Sequence, residues 1–153
     1  MQGPRAGDGS AADMKLSSKT DYALKTMLDL AMHGNERVVR VGDIAQRQSI
    51  PIKFLEQILL VLKAGGLVAS RRGARGGYVL AKKSSAIAIG DIVRLTENSF
   101  AFSHPTKSPY DPFGEVWEDI GNYADKKLAD TKLQDICARV LELRQGKPLE
   151  YTI

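Results

Sequence analysis

The sequence predicts a mostly α-helical protein with a small β-hairpin, in the order of a winged helix-turn-helix followed by further helices. Apolar residues recur with the helical period in segments on both sides of a short β-rich stretch. That stretch, residues 67–82, holds two strand-like runs around a loop rich in glycine and arginine. Helix, short helix, turn, helix and hairpin is the element order of a winged helix-turn-helix.

The first helix is predicted over residues 17–33, with Ser17 or Ser18 as its N-cap and Gly34 just after its end. Its apolar residues are spaced for one broad buried face, which comprises Tyr22, Leu24, Met27, Leu28, Leu30 and Ala31.

The helix-turn-helix itself is predicted next. A short extended piece at residues 38–41 precedes a short helix over residues 43–48. Pro51 suits the first turn of the following helix, which extends to about Ala64 before a glycine pair. The predicted core face of that helix comprises Ile52, Leu55, Ile58, Leu59 and Leu62.

The hairpin is predicted from the runs LVASR at residues 67–71 and YVLAK at residues 78–82. The loop between them, residues 72–77, reads RGARGG and would form the tip of the wing.

The second half is predicted to be helical around one loop. A helix at residues 90–97 precedes an irregular Ser- and Pro-rich segment at residues 98–113. Helical spacing resumes at Gly114, and Thr131 with Gln134 is expected to form a capping box for a last helix. The apolar face of that last helix comprises Leu133, Ile136, Cys137, Val140 and Leu141.

Charge is distributed unevenly along the chain. Residues 14–84 hold 13 Lys and Arg against 5 Asp and Glu, a net charge of +8, whereas residues 85–153 hold 8 against 11, a net charge of −3. A basic first half with an acidic second half indicates a part that binds a polyanion and a part with a different role.

Composition also narrows the class of protein. No apolar run approaches the roughly 18 residues of a membrane-spanning helix, and no secretory signal is present at the start. One cysteine, Cys137, excludes an intramolecular disulfide, which favours the cytoplasm. No nucleophile–base pair, metal-ligand set or phosphate-binding loop motif is found, so an enzyme is not expected.

Polar residues at the start of the second helix of the helix-turn-helix are candidates to read DNA bases. An α-helix fits the major groove, and its first turns carry the side chains that reach base edges. Lys contacts guanine or phosphate, Gln pairs with adenine, and Glu accepts from the cytosine amino group. The candidates are Pro51, Lys53, Glu56 and Gln57, with Phe54 beside them. The alternative is an ordinary solvated polar face.

The wing tip is a second candidate contact, formed by Arg72, Gly73 and Arg75. Arginine enters narrow, A/T-rich minor grooves, and glycine allows the backbone to approach closely. The alternative is a flexible, solvated hairpin loop.

The start of the first helix is a third candidate. Backbone amides at a helix N-terminus attract phosphate, so Ser17 and Lys19 are expected to anchor the flank of the site. The alternative is a simple N-cap beside an exposed lysine.

Three segments closely resemble the Rrf2 family of bacterial transcription regulators: MKLSSKTDYALKTMLDLA, DIAQRQSIPIKFLEQILLVLKAGGLVASRRGARGGYVLAK and IAIGDIVRLTE. The resemblance covers residues 14–97, and the helical tail is similar in layout. The combination of L-E-Q in the helix with R-G-x-x-G-G-Y in the wing is specific to the family.

The resemblance implies a homodimer with a winged helix-turn-helix at each end. It implies base reading by Lys53, Glu56 and Gln57 and insertion of Arg72 into the minor groove. It also implies a dimerisation helix at residues 114–129, whose contacts would be Val116, Trp117, Ile120, Tyr123, Ala124 and Leu128.

The chain departs from cluster-binding relatives, which carry three cysteines in the loop matching residues 98–113. That loop has no cysteine here, and Gly114 stands near the position where one relative has a histidine ligand. Some relatives also use an acidic ligand on the first helix, near Asp21. A lone carboxylate there, without thiolates, does not make a cluster site. No [2Fe–2S] cluster and no other metal are therefore expected. Cys137 is expected to be inert packing, with redox sensing as the alternative, and His104 to be exposed.

The sequence thus predicts five segments: a disordered extension or tag at residues 1–13, a DNA-binding winged helix-turn-helix at 14–97, a loop at 98–113 where the family has its effector or cluster loop, dimerisation helices at 114–147, and a tail at 148–153.

The predicted function is that of a cytoplasmic, homodimeric repressor that binds a palindromic operator in double-stranded DNA. Its effector would be an unknown small molecule or protein. The alternatives are a regulator controlled by a partner protein, such as an enzyme of cysteine metabolism, and a winged helix used only for protein contacts.

Overall fold

The structure, a computed structural model, describes residues 16–34, 37–97 and 110–146. Over these ranges it contains the predicted helices and hairpin in the predicted order. Their bounds are α1 Ser18–His33, α2 Val41–Gln48, α3 Ile52–Ala64, β1 Val68–Arg71, β2 Gly77–Leu80, α4 Ile89–Thr96, α5 Gly114–Asp130 and α6 Leu133–Arg144, with a short 3-10 turn Ser84–Ala86 before α4. The predicted extension, tail and most of the predicted loop, including His104, lie outside the described residues.

The helix-turn-helix is built from α2 and α3. The connection begins at Ser49, whose backbone is left-handed with φ of 53°, and Pro51 is the residue immediately before α3 rather than part of its first turn. The four residues Leu55, Ile58, Leu59 and Leu62 of α3 are buried.

Ile52 was predicted to belong to the core face of α3, and this is wrong: it is 52% exposed. As the first residue of the helix, it precedes the turn whose side chains pack inward.

The core is formed by α1 to α4, the base of the hairpin and the first residue of α6. Met27 and Leu30 of the predicted α1 face are fully buried, whereas Tyr22 and Leu24 pack partly buried against the core. The apolar cluster comprises Ala23, Met27, Leu30, Val39, Ile44, Ala45, Ile50, Leu55, Ile58, Leu59, Leu62, Leu67, Val68, Ile87, Ile92 and Leu133.

The hairpin is antiparallel, and Val68 pairs with Leu80 and Arg71 with Gly77. The predicted extended piece before α2 contributes one further bridge, because Val39 and Tyr78 exchange both backbone hydrogen bonds, at 2.9 and 2.8 Å. The wing is thereby attached to the segment that leads into α2.

The start of α6 is joined to the segment just before α4. The amide of Leu133 donates to the carbonyl of Ile87 at 2.8 Å, and Leu133 is buried in the core. The predicted capping box of Thr131 and Gln134 is wrong. The N-cap is Lys132, one residue later, and its amide donates to the carboxylate of Asp135 at 2.8 Å.

Candidate nucleic-acid interface

The candidate base-reading residues of α3 lie on its solvent side. Lys53, Glu56 and Gln57 are all exposed, and Pro51 is exposed beside them. Because residues three and four apart are neighbours on a helix surface, the three polar side chains form one continuous face. The opposite face of the same helix is buried, so packing against the core fixes the direction of this polar face.

The wing tip presents both candidate arginines to solvent. Arg72 and Arg75 are exposed, and the tip is closed by a hydrogen bond from the Gly76 amide to the Gly73 carbonyl at 2.9 Å. Gly73 has φ of 117°, a conformation that side-chain-bearing residues rarely adopt. The tip is therefore a defined turn, and its shape depends on glycine.

The hairpin is also tied to α3. The Lys63 ammonium, in the last turn of α3, donates to the Ser70 hydroxyl on β1 at 2.8 Å. This contact connects the helix that carries Lys53 with the strand that leads to Arg72.

The start of α1 has an internal partner that the sequence did not reveal. Ser17 is the N-cap, and its hydroxyl accepts from the Thr20 amide at 3.2 Å. The amide of Ser17 itself donates to the carboxylate of Glu97 at 2.8 Å. A carboxylate thus already lies at this helix N-terminus, and Lys19 is an exposed cationic group beside it.

Glu97 is held in its charged form. A hydrogen bond from the Thr20 hydroxyl, at 2.6 Å, and one from the Ser17 amide keep the pKa of Glu97 below its usual value, although burial opposes this. Thr96 also lies 2.7 Å from the Thr20 hydroxyl, so the end of α4 is joined to the first turn of α1.

The buried contact between α1 and α2 was also missed by sequence reasoning. Asp29 on α1 is buried and accepts hydrogen bonds from Arg47 and Gln48 on α2. An acidic residue inside the apolar spacing of α1 was the signal that could have indicated it.

The predicted dimerisation residues of α5 are mostly exposed in this chain. Val116 is 51% exposed and Tyr123 71%, and no residue of α5 is buried. Trp117 and Ile120 are each 37% exposed, whereas Ala124 and Leu128 are partly buried. An apolar stripe on an exposed helix is the pattern of a surface that another chain covers.

Residues 16–34, 37–97 and 110–146 contain no group of three or more His, Cys, Asp or Glu placed to hold a metal ion. Asp21 is paired with Lys25 at 2.8 Å. Cys137 is partly buried, and burial raises the pKa of its thiol, which lowers its reactivity.

Within the described part of the chain, no helix is both long and apolar enough to cross a membrane.

The fold and its exposed basic elements define a winged-helix protein of the DNA-binding transcription-regulator class. The profile of the Rrf2 family, described as iron-dependent transcriptional regulators, matches residues 16–139. The chain belongs to the Rrf2 family. This confirms the resemblance, the fold class and the expectation that the chain is a regulator rather than an enzyme.

Two curated relatives match about half of this chain. Protein rrf2 of Nitratidesulfovibrio vulgaris is 46% identical over 84 residues, which are 55% of this chain and 56% of that protein. The HTH-type transcriptional regulator IscR of Yersinia enterocolitica is 45% identical over 86 residues, 56% of this chain and 52% of the relative. The matches therefore span about half the length of these relatives.

Solved structures match over more of the chain. CymR of B. subtilis, described as the global cysteine regulator, is 33% identical with a TM-score of 0.77, covering 83% of this chain and 98% of that one. IscR of T. potens is 33% identical with a TM-score of 0.71, covering 90% and 94%.

Proposed function

We propose that this chain is a homodimeric repressor that binds a palindromic operator in double-stranded DNA through two α3 helices and two wings. The observation that carries the proposal is the polar face of α3. Lys53, Glu56 and Gln57 project into solvent from a helix whose other face is fixed in the core. The second helix of a helix-turn-helix enters the major groove with such residues at its start.

Electrostatics support the same partner. Exposed Arg72 and Arg75 follow α3 along the chain, in a half with a net charge of +8. None of the ion pairs found within the described ranges involves Lys53, Arg72 or Arg75. Their charges are available to phosphate or bases, and binding should weaken steeply with salt as counterions are released.

Selection from a random-sequence duplex pool tests the DNA-binding function. A palindromic consensus is expected, because two-fold protein symmetry implies two-fold operator symmetry. A template with this consensus over a promoter should then be transcribed less when the protein is added. Failure to enrich any sequence at low salt would contradict the proposal.

The homodimer is supported by the apolar stripe of α5. Ile120→Lys should shift the protein to a monomer in light scattering, because it places a charge on that stripe. Glu118→Lys is the matched control, since Glu118 is exposed on the opposite side of the same helix. Equal masses for both variants would argue against α5 as the interface.

The donor set does not fit an iron–sulfur cluster, although the family description names iron. Each chain supplies one cysteine, and [2Fe–2S] clusters are held by several thiolates. We therefore propose a cluster-free regulator. Protein purified without oxygen should be colourless and contain neither iron nor sulfide. Stoichiometric iron with visible absorption would contradict this.

Control by a partner protein is a second candidate for the signal. The supporting observation is the similarity to CymR over 98% of the length of that regulator. Purified enzymes of cysteine synthesis from the organism that produces this protein should then change the affinity of the protein for its operator. No change with any of them would leave small molecules as the candidate effectors.

A further inference from the structure

The exposed face of α3 is not entirely polar. Phe54 is 56% exposed and Leu60 is 62% exposed, and neither belongs to the apolar core cluster. Within residues 16–34 and 37–97, the other exposed large apolar residues are Leu16 and Ile52. Three bulky apolar side chains, Ile52 among them, are thus exposed to solvent on the helix that carries the candidate base-reading residues.

Their spacing places them beside a polar residue. Phe54, Gln57 and Leu60 follow one another at intervals of three, and residues three apart are neighbours on a helix surface. They therefore form a row with the glutamine amide between two apolar groups. Ile52 lies on the opposite edge of the exposed face.

Major-groove chemistry has a partner for each member of this row. Glutamine pairs with the N6 and N7 atoms of adenine, and the apolar feature of the major groove is the 5-methyl group of thymine. The row spans about 9 Å of helix axis, and base pairs are about 3.4 Å apart, so it covers about three base-pair steps.

We propose that Phe54 and Leu60 read thymine methyl groups on either side of an adenine bound by Gln57. This inference rests on the proposed DNA-binding function and adds the base class that α3 selects. Lys53 and Glu56, which lie along the neighbouring row, would read the adjoining G·C pairs. The thymine methyl groups would then cover Phe54 and Leu60, and this contact would remove both exposed side chains from water.

Charge on the same elements favours DNA over an apolar protein partner. Lys53 is exposed next to Phe54, and the wing arginines Arg72 and Arg75 are exposed beyond the end of α3. An apolar docking surface for a protein is typically depleted of charge at its centre.

The test uses deoxyuridine, which differs from thymidine only by the absent 5-methyl group. Each thymine of the selected operator is replaced in turn, and affinity for the full-length protein is measured by fluorescence anisotropy. One or two thymines in each half-site are expected to weaken binding by about fourfold when replaced, the effect of burying one methyl-sized group.

The variants Phe54→Ala and Leu60→Ala assign these thymines. At the operator position that the removed side chain would contact, each variant should bind duplexes with thymine and with deoxyuridine equally well. At the other position it should still prefer thymine. Leu143→Ala is the control, since Leu143 is 48% exposed on the last turn of α6, and it should discriminate as the natural chain does. Circular dichroism checks folding, which both α3 variants should keep because neither residue is buried.

Three results would count against the inference. Uniform tolerance of deoxyuridine by a protein that binds its operator would show that no methyl group is read. Discrimination that persists in both α3 variants would assign the methyl contacts to other residues and leave Phe54 and Leu60 as a protein-binding surface. Absence of any selected sequence would instead remove the DNA-binding function on which the inference rests.

Discussion

Arg47 donates two hydrogen bonds to the buried carboxylate of Asp29, from Nε at 2.9 Å and from Nη2 at 2.8 Å. Gln48 adds a third, from Nε2 at 3.1 Å. The Asp29 side chain is 0% exposed, whereas that of Arg47 is 36% exposed. The pair joins the C-terminal half of α1 to the last turn of α2, and so fixes the first helix of the helix-turn-helix to the core.

Removal of Arg47 should destabilise the fold. In Arg47→Ala the Asp29 carboxylate stays buried without its charged partner, so the free energy of unfolding should fall by about 3 kcal/mol, the low end for such a loss because Arg47 is partly exposed. Urea denaturation measures this. Lys25→Ala breaks the surface pair with Asp21 and should leave the urea midpoint nearly unchanged. Equal midpoints for the two variants would show that the buried pair contributes no more to stability than the surface pair.

The same pair predicts how stability depends on pH. Burial favours the neutral form of Asp29, but the hydrogen bonds from Arg47 and Gln48 and the charge of Arg47 outweigh it, so the pKa of Asp29 lies below its usual value. A carboxyl group with a lowered folded-state pKa stabilises the fold above its unfolded pKa of about 4, and this contribution is lost as pH falls through the folded-state value.

Stability should therefore be level from neutral pH to about pH 5 and decline below it. Urea denaturation at a series of pH values checks this, and Asp29→Asn should show a shallower decline. Glu97, whose pKa is also lowered, should account for part of the slope that remains. A variant curve as steep as that of the natural chain would assign acid sensitivity to other carboxylates.

The attachment of the wing depends on Gly77. A Cβ atom at this position would overlap the Val39 carbonyl oxygen, in the bridge between the hairpin and the segment before α2. Gly77→Ala should thus destabilise the fold by about 1–3 kcal/mol, as overpacking does. Weaker operator binding should accompany it if the wing contacts DNA. Thermal denaturation and anisotropy measure the two effects.

Gly42→Ala provides the matched control, because nothing lies within 4 Å of a Cβ at Gly42 on α2. It should leave stability unchanged or raise it slightly, since alanine is the better helix former. Equal loss of stability in both variants would mean that the close approach at Gly77 is not the cause.

The elements could be predicted from the sequence because their signals are local. Periodicity placed α1 and α3, and the glycines of the RGARGG loop placed the hairpin turn. The errors have local causes too: Ile52 fits the apolar period of α3 but precedes the turn that packs, and Asp135 lies one residue from the expected capping position.

Contacts between distant segments could not be predicted in this way. Ser17 and Glu97 are 80 residues apart, and Asp29 was hidden within an apolar helix face. Such polar contacts follow from how α1 meets α2 and α4, which no local pattern encodes. The roles of Lys53, Gln57 and the wing arginines remain predictions, since exposure shows only that these side chains are available.

The buried hydroxyl of Thr20 should be important for the contact between α1 and α4. It lies within hydrogen-bond distance of Ser17, Thr96 and Glu97, and Thr20 is 0% exposed. Thr20→Val keeps the shape of the side chain but leaves these groups without that partner. The free energy of unfolding, measured by urea denaturation, should therefore fall by about 1–3 kcal/mol. Thr131→Val removes one exposed hydroxyl bond, to the Lys127 carbonyl, and should cost less. Equal costs would mean that the Thr20 network adds nothing beyond one surface hydrogen bond.

Substitution of Arg72 is the most direct test of whether the wing contacts DNA. Arg72→Ala should weaken binding to the selected operator by about 1–3 kcal/mol if the guanidinium enters the minor groove, with less effect on unrelated DNA. A phosphate contact would instead weaken binding to both duplexes similarly and reduce the salt slope by about 1. Arg144→Ala, at the exposed end of α6, is the control and should change neither quantity. If Arg72→Ala also changes neither, the wing tip does not contact DNA, and sequence selection belongs to α3 alone.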